Sequence, residues 1–463
     1  MIGLDTDQGL DAPAGHDRLA AFLVENPLIR DVDVILPDLG GILRGKRLDL
    51  GELRAALRGE ALFSSTLYAL DTTGANVDRS GLVWEEGDAD RPIRLDERTL
   101  APVPWAPDRA QILGGLADFD GSPFFADPRA LLGRVAEEVR ALGLVPVTAL
   151  ELEFYLLDPE LDREGLGQLL ASPRLGRRPR EAEVYSFDRL GEIEPFLARV
   201  AAACEAQDIP AKGAIAEFAP GQFEVNLRHV RDPVRAADHA LLLKRCVKAA
   251  ALECGFRACF MAKPFAATSG SGLHIHLSLE DGEGQNVLAA GDKGERVLRH
   301  AIWGLQQAMA ESMLIFAPNA NSYRRLQPLS YAPTAPSWGL NNRTVALRVP
   351  AGPSAARRIE HRAPGADANP YLSTAAMLAG VLHGLEHGGD PGPPVSGNAY
   401  EKTRRSVPTT WPEALIAFEH GRLLRRRFGE RFCALYAACR RAELERFEAR
   451  LTSLDFEWYL SAV

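Results

Sequence analysis

VPVTALELEFYLL, residues 145–157, alternates apolar and acidic side chains within a segment rich in strand-forming residues. Successive side chains of a β-strand point to opposite faces, so Glu151 and Glu153 share one face of the predicted strand while Leu150 and Leu152 share the other. An ionised carboxylate buried without a partner costs on the order of several kcal/mol. If the acidic face is buried, these two glutamates therefore require positive charges nearby.

Three further segments also combine charged or imidazole side chains with apolar neighbours. They are GSGLHIHLSL (270–279) with His274 and His276, EFAPGQFEVNL (217–227) with Glu217 and Glu224, and RRIEHR (357–362) with Glu360 between Arg358 and Arg362. In isolation, each segment also fits a solvated strand face with paired charges, or histidines that serve only the structure. Together, five carboxylates and one imidazole are the ligands that two or more hard divalent cations require, and the predominance of oxygen favours Mg²⁺ or Mn²⁺ over zinc. The four segments jointly predict a metal-binding cleft.

Five arginines in the second half of the chain supply complementary charges. They are Arg325 in NSYRRL, Arg343 and Arg348 in NNRTVALRVP, and Arg358 and Arg362 in RRIEHR. A guanidinium is permanently charged and binds carboxylate or phosphate through two parallel hydrogen bonds. Metal ions beside a group of arginines are typical of phosphoryl transfer, in which cations offset the charge of the transferred group. The chain has no GxxxxGK[ST] motif, so a P-loop enzyme is excluded.

The composition is that of an ordinary globular protein, with 46% hydrophobic and 25% charged residues among 463. A formal net charge of −9 argues against nucleic-acid binding, because nucleic-acid-binding surfaces are basic. The six cysteines form no CxxC pair, which favours a reducing compartment. The first residues lack the features of a signal peptide, and no apolar run reaches the roughly 18 residues of a membrane span. We therefore expect a cytoplasmic protein that binds neither nucleic acid nor membrane.

The chain is long enough for two hydrophobic cores. A Pro-rich passage, PVPWAP (102–107), and a Gly-rich one, GGLADFDGSPF (114–124), mark the predicted boundary. We expect a flexible tail at 1–20, a small N-terminal β-rich domain at 21–115 and a catalytic domain at 116–463. Apolar periodicity predicts long helices at roughly 193–207, 233–254, 296–316, 370–387 and 412–450, alternating with strands. This order of elements predicts an α+β fold.

Six motifs make the chain resemble the glutamine synthetase superfamily from about residue 30 to its end. In the family's order they are ELEFYL, EFAPGQFEVNL, GSGLHIHLSL, NSYRRLQP, NNRTVALRVP and RRIEHRAPGADANPYLSTAAML. The resemblance implies a small N-terminal β-grasp domain and a large catalytic domain with a curved antiparallel sheet backed by helices. It also implies a homo-oligomer, a dodecamer of two hexameric rings, in which each active site lies between the N-terminal domain of one subunit and the catalytic domain of the next.

The resemblance also implies roles for individual residues. One metal ion would bind Glu153, Glu217 and Glu224, and a second Glu151, His274 and Glu360, with two or three Mg²⁺ or Mn²⁺ ions in each site. ATP would contact His276, Ser278, Arg343, Arg348 and Arg358, and the substrate glutamate would contact Gly270, Arg325, Arg343 and Arg362. Arg343 would also stabilise the phosphoryl group during transfer, acting in catalysis with Glu153, Glu217 and Glu224.

The implied reaction has two steps. The γ-carboxylate of glutamate attacks the γ-phosphate of ATP and gives γ-glutamyl phosphate and ADP; an amine then displaces phosphate and forms an amide. Activation is needed because a free carboxylate is a poor electrophile, and water must be excluded because it would hydrolyse the intermediate.

The sequence departs from the family at the ammonium site, where glutamine synthetases place an aspartate of an N-terminal loop and a glutamate of a mobile flap. Here the first region, LFSSTLYALDTTG (62–74), offers only Ser64 and Ser65 beside Phe63, and the flap, QPLSYAP (327–333), has Tyr331. A phenol with a pKa of about 10 stays neutral at pH 7, so it neither attracts ammonium nor accepts its proton well. These residues predict a roomier, more apolar amine pocket, in which an aromatic ring packs on an alkyl chain or binds an alkylammonium.

We therefore predict an ATP-dependent glutamate–amine ligase, in character closest to the gamma-glutamylamine synthetases, with a small amine such as a polyamine or ethanolamine as substrate. Two alternatives stay open: a glutamine synthetase that uses ammonium, and a catalytically inactive relative that senses glutamate or nucleotide. The presence of all six predicted metal ligands argues against an inactive relative, because such a protein need not keep them.

Overall fold

The computed structural model describes residues 15–174, 176–179, 181 and 184–463. Within these residues the strands are β1 (Asp31–Pro37), β2 (Leu43–Asp49), β3 (Leu62–Ser64), β4 (Asp90–Pro102), β5 (Arg109–Leu116), β6 (Val145–Leu161), β7 (Gly167–Leu169), β8 (Ala211–Ala216), β9 (Gln222–Leu227), β10 (Arg257–Cys259), β11 (Leu273–Glu280), β12 (Trp338–Leu340), β13 (Leu347–Val349) and β14 (Ile359–His361). The α-helices are α1 (Gly15–Glu25), α2 (Leu50–Leu57), α3 (Pro128–Arg140), α4 (Phe187–Glu192), α5 (Glu194–Ala206), α6 (Pro233–Glu253), α7 (Asp292–Phe316), α8 (Ala320–Tyr323), α9 (Pro370–His387), α10 (Ala399–Lys402), α11 (Trp411–His420), α12 (Leu423–Phe428), α13 (Glu430–Glu448) and α14 (Ser453–Tyr459). This mixture of helices and strands confirms the predicted α+β class.

The first five strands form one sheet in the order β2-β1-β5-β4-β3. β1 and β2 are an antiparallel hairpin, and β1 pairs in parallel with β5 at the centre of the sheet. α2 follows β2 and packs against β1, β2 and β4, as a β-grasp arrangement requires. The last strand ends at Leu116, next to the predicted boundary at residue 115. The division of the chain into two domains remains a prediction.

The predicted tail at 1–20 overlaps the first helix in its last residues, and its flexibility remains a prediction. Residues 1–14 lie outside the described residues, but residues 15–20 belong to α1. Leu19 of this helix is buried in the hydrophobic core. The burial of this apolar side chain favours a helix there in spite of the polar composition of the segment before it.

The remaining nine strands form the second sheet, whose main path is β12-β13-β14-β11-β6-β9-β8, with β7 and β10 also paired with β6. Its pairs are antiparallel except for β12 with β13. The apolar alternates Leu150, Leu152 and Ile275 are fully buried in the core, where α3 and α6 pack against β6. The charged alternates of β6 and β11 therefore lie on the opposite face of the sheet.

Four of the five predicted long helices occur close to their predicted bounds, as α5, α6, α7 and α9. The fifth, predicted over 412–450, is wrong as a single helix, because α11, α12 and α13 are separated by two glycines. A Cβ on Gly421 would lie 2.2 Å from Oε2 of Glu311, and Gly429 has a φ of +90°. Glycine at these positions permits a close approach and a left-handed backbone that interrupt an otherwise continuous apolar pattern.

Two structural observations bear on the expected cytoplasmic location. None of the helices in the described part of the chain combines the length and hydrophobicity that a membrane crossing requires. All six cysteines are free thiols. A cytoplasmic location remains a prediction.

Candidate active site

The register of five adjacent strands brings the predicted charged residues together on one face of the larger sheet. The directly opposed pairs are Glu151 with His274, Glu153 with Glu224, His276 with Glu360, and Glu360 with Arg348. Directly opposed residues of antiparallel strands have side chains on the same face and Cβ atoms about 5 Å apart. The charges therefore form one continuous row across β9, β6, β11, β14 and β13.

A cavity of about 500 Å³ lies over this row. The predicted site residues that line it are Glu151, Glu153, Glu217, Glu224, Gly270, His274, Arg325, Tyr331, Arg343, Arg348, Glu360 and Arg362. The predicted site residues outside its lining are Ser64, Ser65, His276, Ser278 and Arg358. The structure thus brings all the predicted acids, and all but one of the predicted arginines, into a single cleft.

The acids and histidines form three groups in which one ligand atom from each residue lies within 4.8 Å of the others. The groups are Glu153, Glu217 and Glu224; Glu151, His276 and Glu360; and Glu151, Glu224 and His274. The first group matches the set predicted for one metal ion. The second contains His276, the β11 residue directly opposite Glu360, where His274 was predicted; Nδ1 of His274 also lies 3.9 Å from Oε1 of Glu360.

Burial and mutual repulsion perturb the pKa values of these acids. Burial, followed by the charge of Glu153, raises the pKa of Glu217 to about 7. Burial, followed by the charges of Glu151 and Glu153, raises the pKa of Glu224 to about 9. Burial also acts to raise the pKa of Glu151, but His276 and His274 overcome it and hold the pKa below its usual value. Carboxylates this close together disfavour ionisation unless a cation lies among them.

A buried imidazole nitrogen next to these carboxylates also indicates a cation-binding site. Nε2 of His276 lies 2.9 Å from Oε1 of Glu151, without hydrogen-bond geometry, and has no hydrogen-bond partner within the described residues. Nitrogen and oxygen atoms that converge in this way are the donor set of a divalent metal ion. The groups present therefore fit divalent cations.

Glu360 is the most enclosed acid of the cleft, with 1% of its side chain exposed. Nη1 of Arg348 donates to Oε2 of Glu360 over 2.6 Å, and Nη1 of Arg362 donates to Oε1. Burial acts to raise the pKa of Glu360, but the charges of Arg362 and His276 lower it to about 2. Glu360 is therefore ionised and clamped between two guanidinium groups.

Replacing Glu360 with Ala is expected to lower the free energy of unfolding at pH 7 by about 3 kcal/mol, because Arg348 and Arg362 would lose a buried counter-ion. Urea unfolding in the presence of a chelator measures this difference without a contribution from bound metal. The control is Glu160→Ala, since Glu160 is exposed near the end of β6. Equal stability of the two variants would contradict the ion-pair arrangement.

Of three other predicted residues, Arg325 and Gly270 also have a structural role, whereas Arg343 does not. Arg325 is buried and donates from Nη1 to the carbonyl of Ala363 (2.8 Å) and from Nη2 to that of Arg362 (3.1 Å). It therefore ties the segment before the flap to the segment after β14, as well as lining the cleft. A Cβ on Gly270 would lie 2.6 Å from the carbonyl oxygen of Ala262, so this position requires glycine. Arg343 is exposed in the cleft and makes no hydrogen bond or ion pair within the described residues.

The sequence matches the catalytic domain of glutamine synthetase over residues 125–459. The chain belongs to the glutamine synthetase family. It is 42% identical to the gamma-glutamylputrescine synthetase of Escherichia coli, over 95% of this chain and 93% of that protein. It is 35% identical to the gamma-glutamylethanolamide synthetase of Streptomyces coelicolor, over 96% and 95% of the two chains. A solved structure titled as a GmaS/ADP complex has a TM-score of 0.83 and 27% identity, over 96% of this chain and 99% of that one.

Membership of the glutamine synthetase family confirms the prediction made from the six motifs. It makes the chain a carbon–nitrogen ligase. Enzymes of this family use ATP and divalent metal ions, and the three acidic groups of the cleft offer the ligands for such ions.

In this glutamine synthetase family member, the predicted ATP contacts His276, Ser278 and Arg358 lie outside the lining of the cavity. Nε of Arg358 donates to Nδ1 of His276 over 3.1 Å. The ring of His229, which the sequence interpretation misses, lies 5.9 Å from that of His276 and nearly perpendicular to it. Burial, followed by the charge of His276, lowers the pKa of His229 to about 4. His229 therefore offers an uncharged aromatic ring at neutral pH.

The two serines predicted for the amine pocket lie away from the cavity of their own chain. Oγ of Ser64 donates to Oδ1 of Asp88, Oγ1 of Thr66 donates to the same oxygen over 2.7 Å, and Ser65 is fully buried. A carboxylate from outside the region 62–74 therefore lies beside Ser64. The segment after Trp84 folds back and places the exposed Asp88, which has a φ of +53°, next to Ser64.

Several cleft residues of this family member are absent from the sequence predictions. Tyr185 and Phe218 line the cavity, and Nε2 of Gln222 donates to the carbonyl of Gly270 over 3.0 Å. Phe218 and Gln222 lie in the same motif as Glu217, so their proximity in the chain was an available signal. Tyr185 lies between β7 and α4, in a segment whose pattern has no periodicity that would place it in the cleft.

Proposed function

We propose that this enzyme joins the γ-carboxylate of glutamate to a small organic amine while it converts ATP to ADP and phosphate. The observation that carries the proposal is Tyr331, which lines the acidic cleft in the flap where glutamine synthetases have a carboxylate. A neutral phenol offers ammonium neither a counter-charge nor an effective base. The relatives named as synthetases of gamma-glutamylputrescine and gamma-glutamylethanolamide support an organic amine.

The proposed roles follow the charges of the cleft. Glu153, Glu217 and Glu224 on one side, and Glu151, His274, His276 and Glu360 on the other, would hold Mg²⁺ or Mn²⁺. These ions, when bound, neutralise phosphate charge and hold the phosphate oxygens in place. Arg362 and Arg325, with the backbone at Gly270, would bind the carboxylate of glutamate, and Arg348 and Arg358 would contact the nucleotide.

The proposed reaction needs no covalent bond to the protein. A γ-carboxylate oxygen of glutamate attacks the γ-phosphorus of ATP, the bond from that phosphorus to the bridging oxygen breaks, and ADP leaves. The amine nitrogen then attacks the acyl carbon, the bond to the phosphate oxygen breaks, and inorganic phosphate and one proton are released. Arg343, a cation that makes no hydrogen bond or ion pair in the described residues, stabilises the negative charge of the transferring phosphoryl group.

We also propose a dodecamer of two hexameric rings, with each active site completed by the N-terminal domain of a neighbouring subunit. The C-terminal segment supports extensive association, because Leu451, Leu454, Phe456, Trp458 and Leu460 are at least 45% exposed. Several large apolar side chains exposed within one short segment indicate a protein–protein contact. Light scattering on the purified protein measures the mass directly, and a monomer of 50.4 kDa would contradict the proposal.

An amine panel tests the proposed function. Phosphate release that depends on both glutamate and amine is measured with putrescine, ethanolamine, isopropylamine and ammonium, and the amide products are identified by mass. We expect kcat/KM for the best organic amine to exceed that for ammonium by at least about 100-fold, since the site lacks the flap carboxylate for ammonium. Ammonium as the best substrate would overturn the proposal.

Asp88 favours a second candidate, a glutamine synthetase that uses ammonium. It is an exposed carboxylate held by Ser64 and Thr66, in the region where the family places one of its ammonium-binding acids. This candidate predicts that ammonium is the best substrate of the panel and that Asp88→Asn lowers its kcat/KM. A sensor without catalysis, the third possibility, predicts no phosphate release with any amine.

A further inference from the structure

The cleft has an apolar wall as well as its charged row. Five apolar or aromatic residues line the same cavity as the acids and arginines: Val184, Tyr185, Ile215, Phe218 and Tyr331. Neither phosphate nor an α-amino acid backbone requires an apolar surface, because both are recognised through charge and hydrogen bonds. The wall is therefore not explained by the phosphates of ATP or by the charged groups of glutamate. The adenine ring of ATP does have an apolar face, but the predicted nucleotide contacts His276 and Arg358 do not line the cavity that holds the wall.

The wall adjoins one end of the charged row. Phe218 directly follows Glu217, and Ile215 of β8 is paired with Glu224 of β9. The backbone N–H of Tyr185 donates to the carbonyl of Ala216 over 2.9 Å, which places Tyr185 beside the same strand. These contacts put Ile215, Phe218 and Tyr185 at the Glu153–Glu217–Glu224 group. None of its five residues lies on the strands that carry His276 and Glu360, within the described residues.

The three aromatic rings of the wall are held at the mouth of the cleft. Tyr185, Phe218 and Tyr331 are 60%, 55% and 52% exposed. Tyr185 and Tyr331 have φ values of +60° and +57°, a left-handed backbone that costs a bulky residue about 1 kcal/mol. The flap next to Tyr331 is anchored by the hydroxyl of Tyr400, which donates to the carbonyl of Ala332 over 2.8 Å. The fold thus keeps these rings out of the hydrophobic core.

We propose that this apolar wall binds the carbon chain of the amine and so selects primary amines with an extended alkyl part over methylamine and ammonium. The inference rests on the proposed ligase activity and names its specificity surface. An amine whose nitrogen reaches the acyl carbon near Glu217 extends its chain over Phe218, Ile215 and the two tyrosine rings. Since the rings are half-exposed, the far end of the alkyl chain of the amine reaches solvent. The site therefore tolerates a hydroxyl or a second ammonium group there, and an aromatic face also attracts the ammonium group.

The experiment uses the full-length enzyme with ATP, glutamate, Mg²⁺ and the series methylamine, ethylamine, propylamine and butylamine. Burial of one methylene contributes about 0.8 kcal/mol, which converts to about a fourfold increase in kcat/KM for each added carbon. Wild-type enzyme is therefore expected to prefer butylamine over methylamine by about 60-fold. Phe218→Ala and Tyr185→Ala are expected to lower that ratio to below about tenfold, mainly by raising the KM for butylamine.

The matched control is Phe187→Ala. Phe187 lies two residues from Tyr185, is 86% exposed and does not line the cavity, so the chain-length preference is expected to stay as in the wild type. Phe218→Leu, which keeps an apolar side chain, is expected to retain most of the preference. If Phe218→Leu keeps the chain-length preference that Phe218→Ala loses, the loss results from missing packing on the substrate and not from a general disturbance of the neighbouring Glu217.

Three results would overturn the inference. If wild-type enzyme ligates organic amines without regard to chain length, the proposed ligase function stands and the specificity surface fails. If Phe218→Ala and Tyr185→Ala slow methylamine and butylamine equally, the wall only excludes water from the cleft. If wild-type enzyme releases phosphate with ammonium alone, the proposed function and the inference both fail.

Discussion

Replacing Arg343 with alanine is expected to lower kcat for glutamate- and amine-dependent phosphate release about 10³-fold. Arg343 is exposed in the cleft and forms no hydrogen bond or ion pair within the described residues. A permanent cation that forms no ion pair is available to the negative charge that develops during phosphoryl transfer. Because Arg343 makes no hydrogen bond or ion pair in the described residues and acts on Glu217 only through its charge, we expect the loss to be catalytic, with the melting temperature within about 2 °C of wild type.

Steady-state kinetics and thermal unfolding of Arg343→Ala, Arg343→Lys and Arg324→Ala check this prediction. Arg324→Ala is the matched control, since Arg324 is exposed next to Arg325 and does not line the cleft. Arg343→Lys keeps the charge and loses the planar fork, so its kcat is expected to lie between those of the wild type and Arg343→Ala. Comparable activity in the two alanine variants would exclude the proposed role of Arg343.

Replacing Glu153 with glutamine is expected to lower kcat by a similar factor, about 10³-fold, and to weaken metal binding. Glu153 belongs to the group with Glu217 and Glu224, and its Oε2 also accepts the backbone N–H of Gly272 over 2.7 Å. Glutamine keeps the size of the side chain and that acceptor, but it removes the negative charge that a divalent cation requires. The substitution therefore tests the role of the negative charge separately from that of side-chain packing.

Titration with Mn²⁺, followed by paramagnetic resonance, measures metal affinity independently of turnover. Glu153→Gln is expected to bind Mn²⁺ at least about tenfold more weakly than wild type. Glu160→Gln serves as the control, because Glu160 lies on the same strand and is exposed outside the cleft. Unchanged Mn²⁺ affinity and turnover in Glu153→Gln would remove Glu153 from the proposed metal site.

Local patterns in the sequence were sufficient to predict the strands that carry the site. The alternation around Glu151 and Glu153 depends only on strand geometry, and the structure places Leu150 and Leu152 in the core as that geometry requires. The same holds for α6, where apolar periodicity predicted the helix to within one residue of its end at Glu253. Periodicity depends on backbone geometry over a few residues, so no knowledge of distant segments is needed.

The pairing of RRIEHR required the tertiary structure. Alternation predicts Arg358, Glu360 and Arg362 on one face, but it does not say which groups meet them. In the structure Glu360 is clamped by Arg362 and by Arg348 of the neighbouring strand, while Arg358 donates to His276. Which strand becomes the neighbour depends on sheet order, and sheet order is decided by packing of the whole chain.

Asp88 is a second residue whose neighbours could not be predicted from the sequence. Twenty-four residues separate it from Ser64, and only the turn after Trp84 brings its carboxylate to the Ser64 hydroxyl. The sequence by itself determined the family, the strands and the chemical types of the site residues, because these follow from motifs and from local backbone geometry. Only the tertiary structure decided which histidine meets which glutamate, which acid adjoins Ser64, and that an apolar wall borders the acids. These features depend on strand register and loop packing, which are set by contacts between segments far apart in the chain.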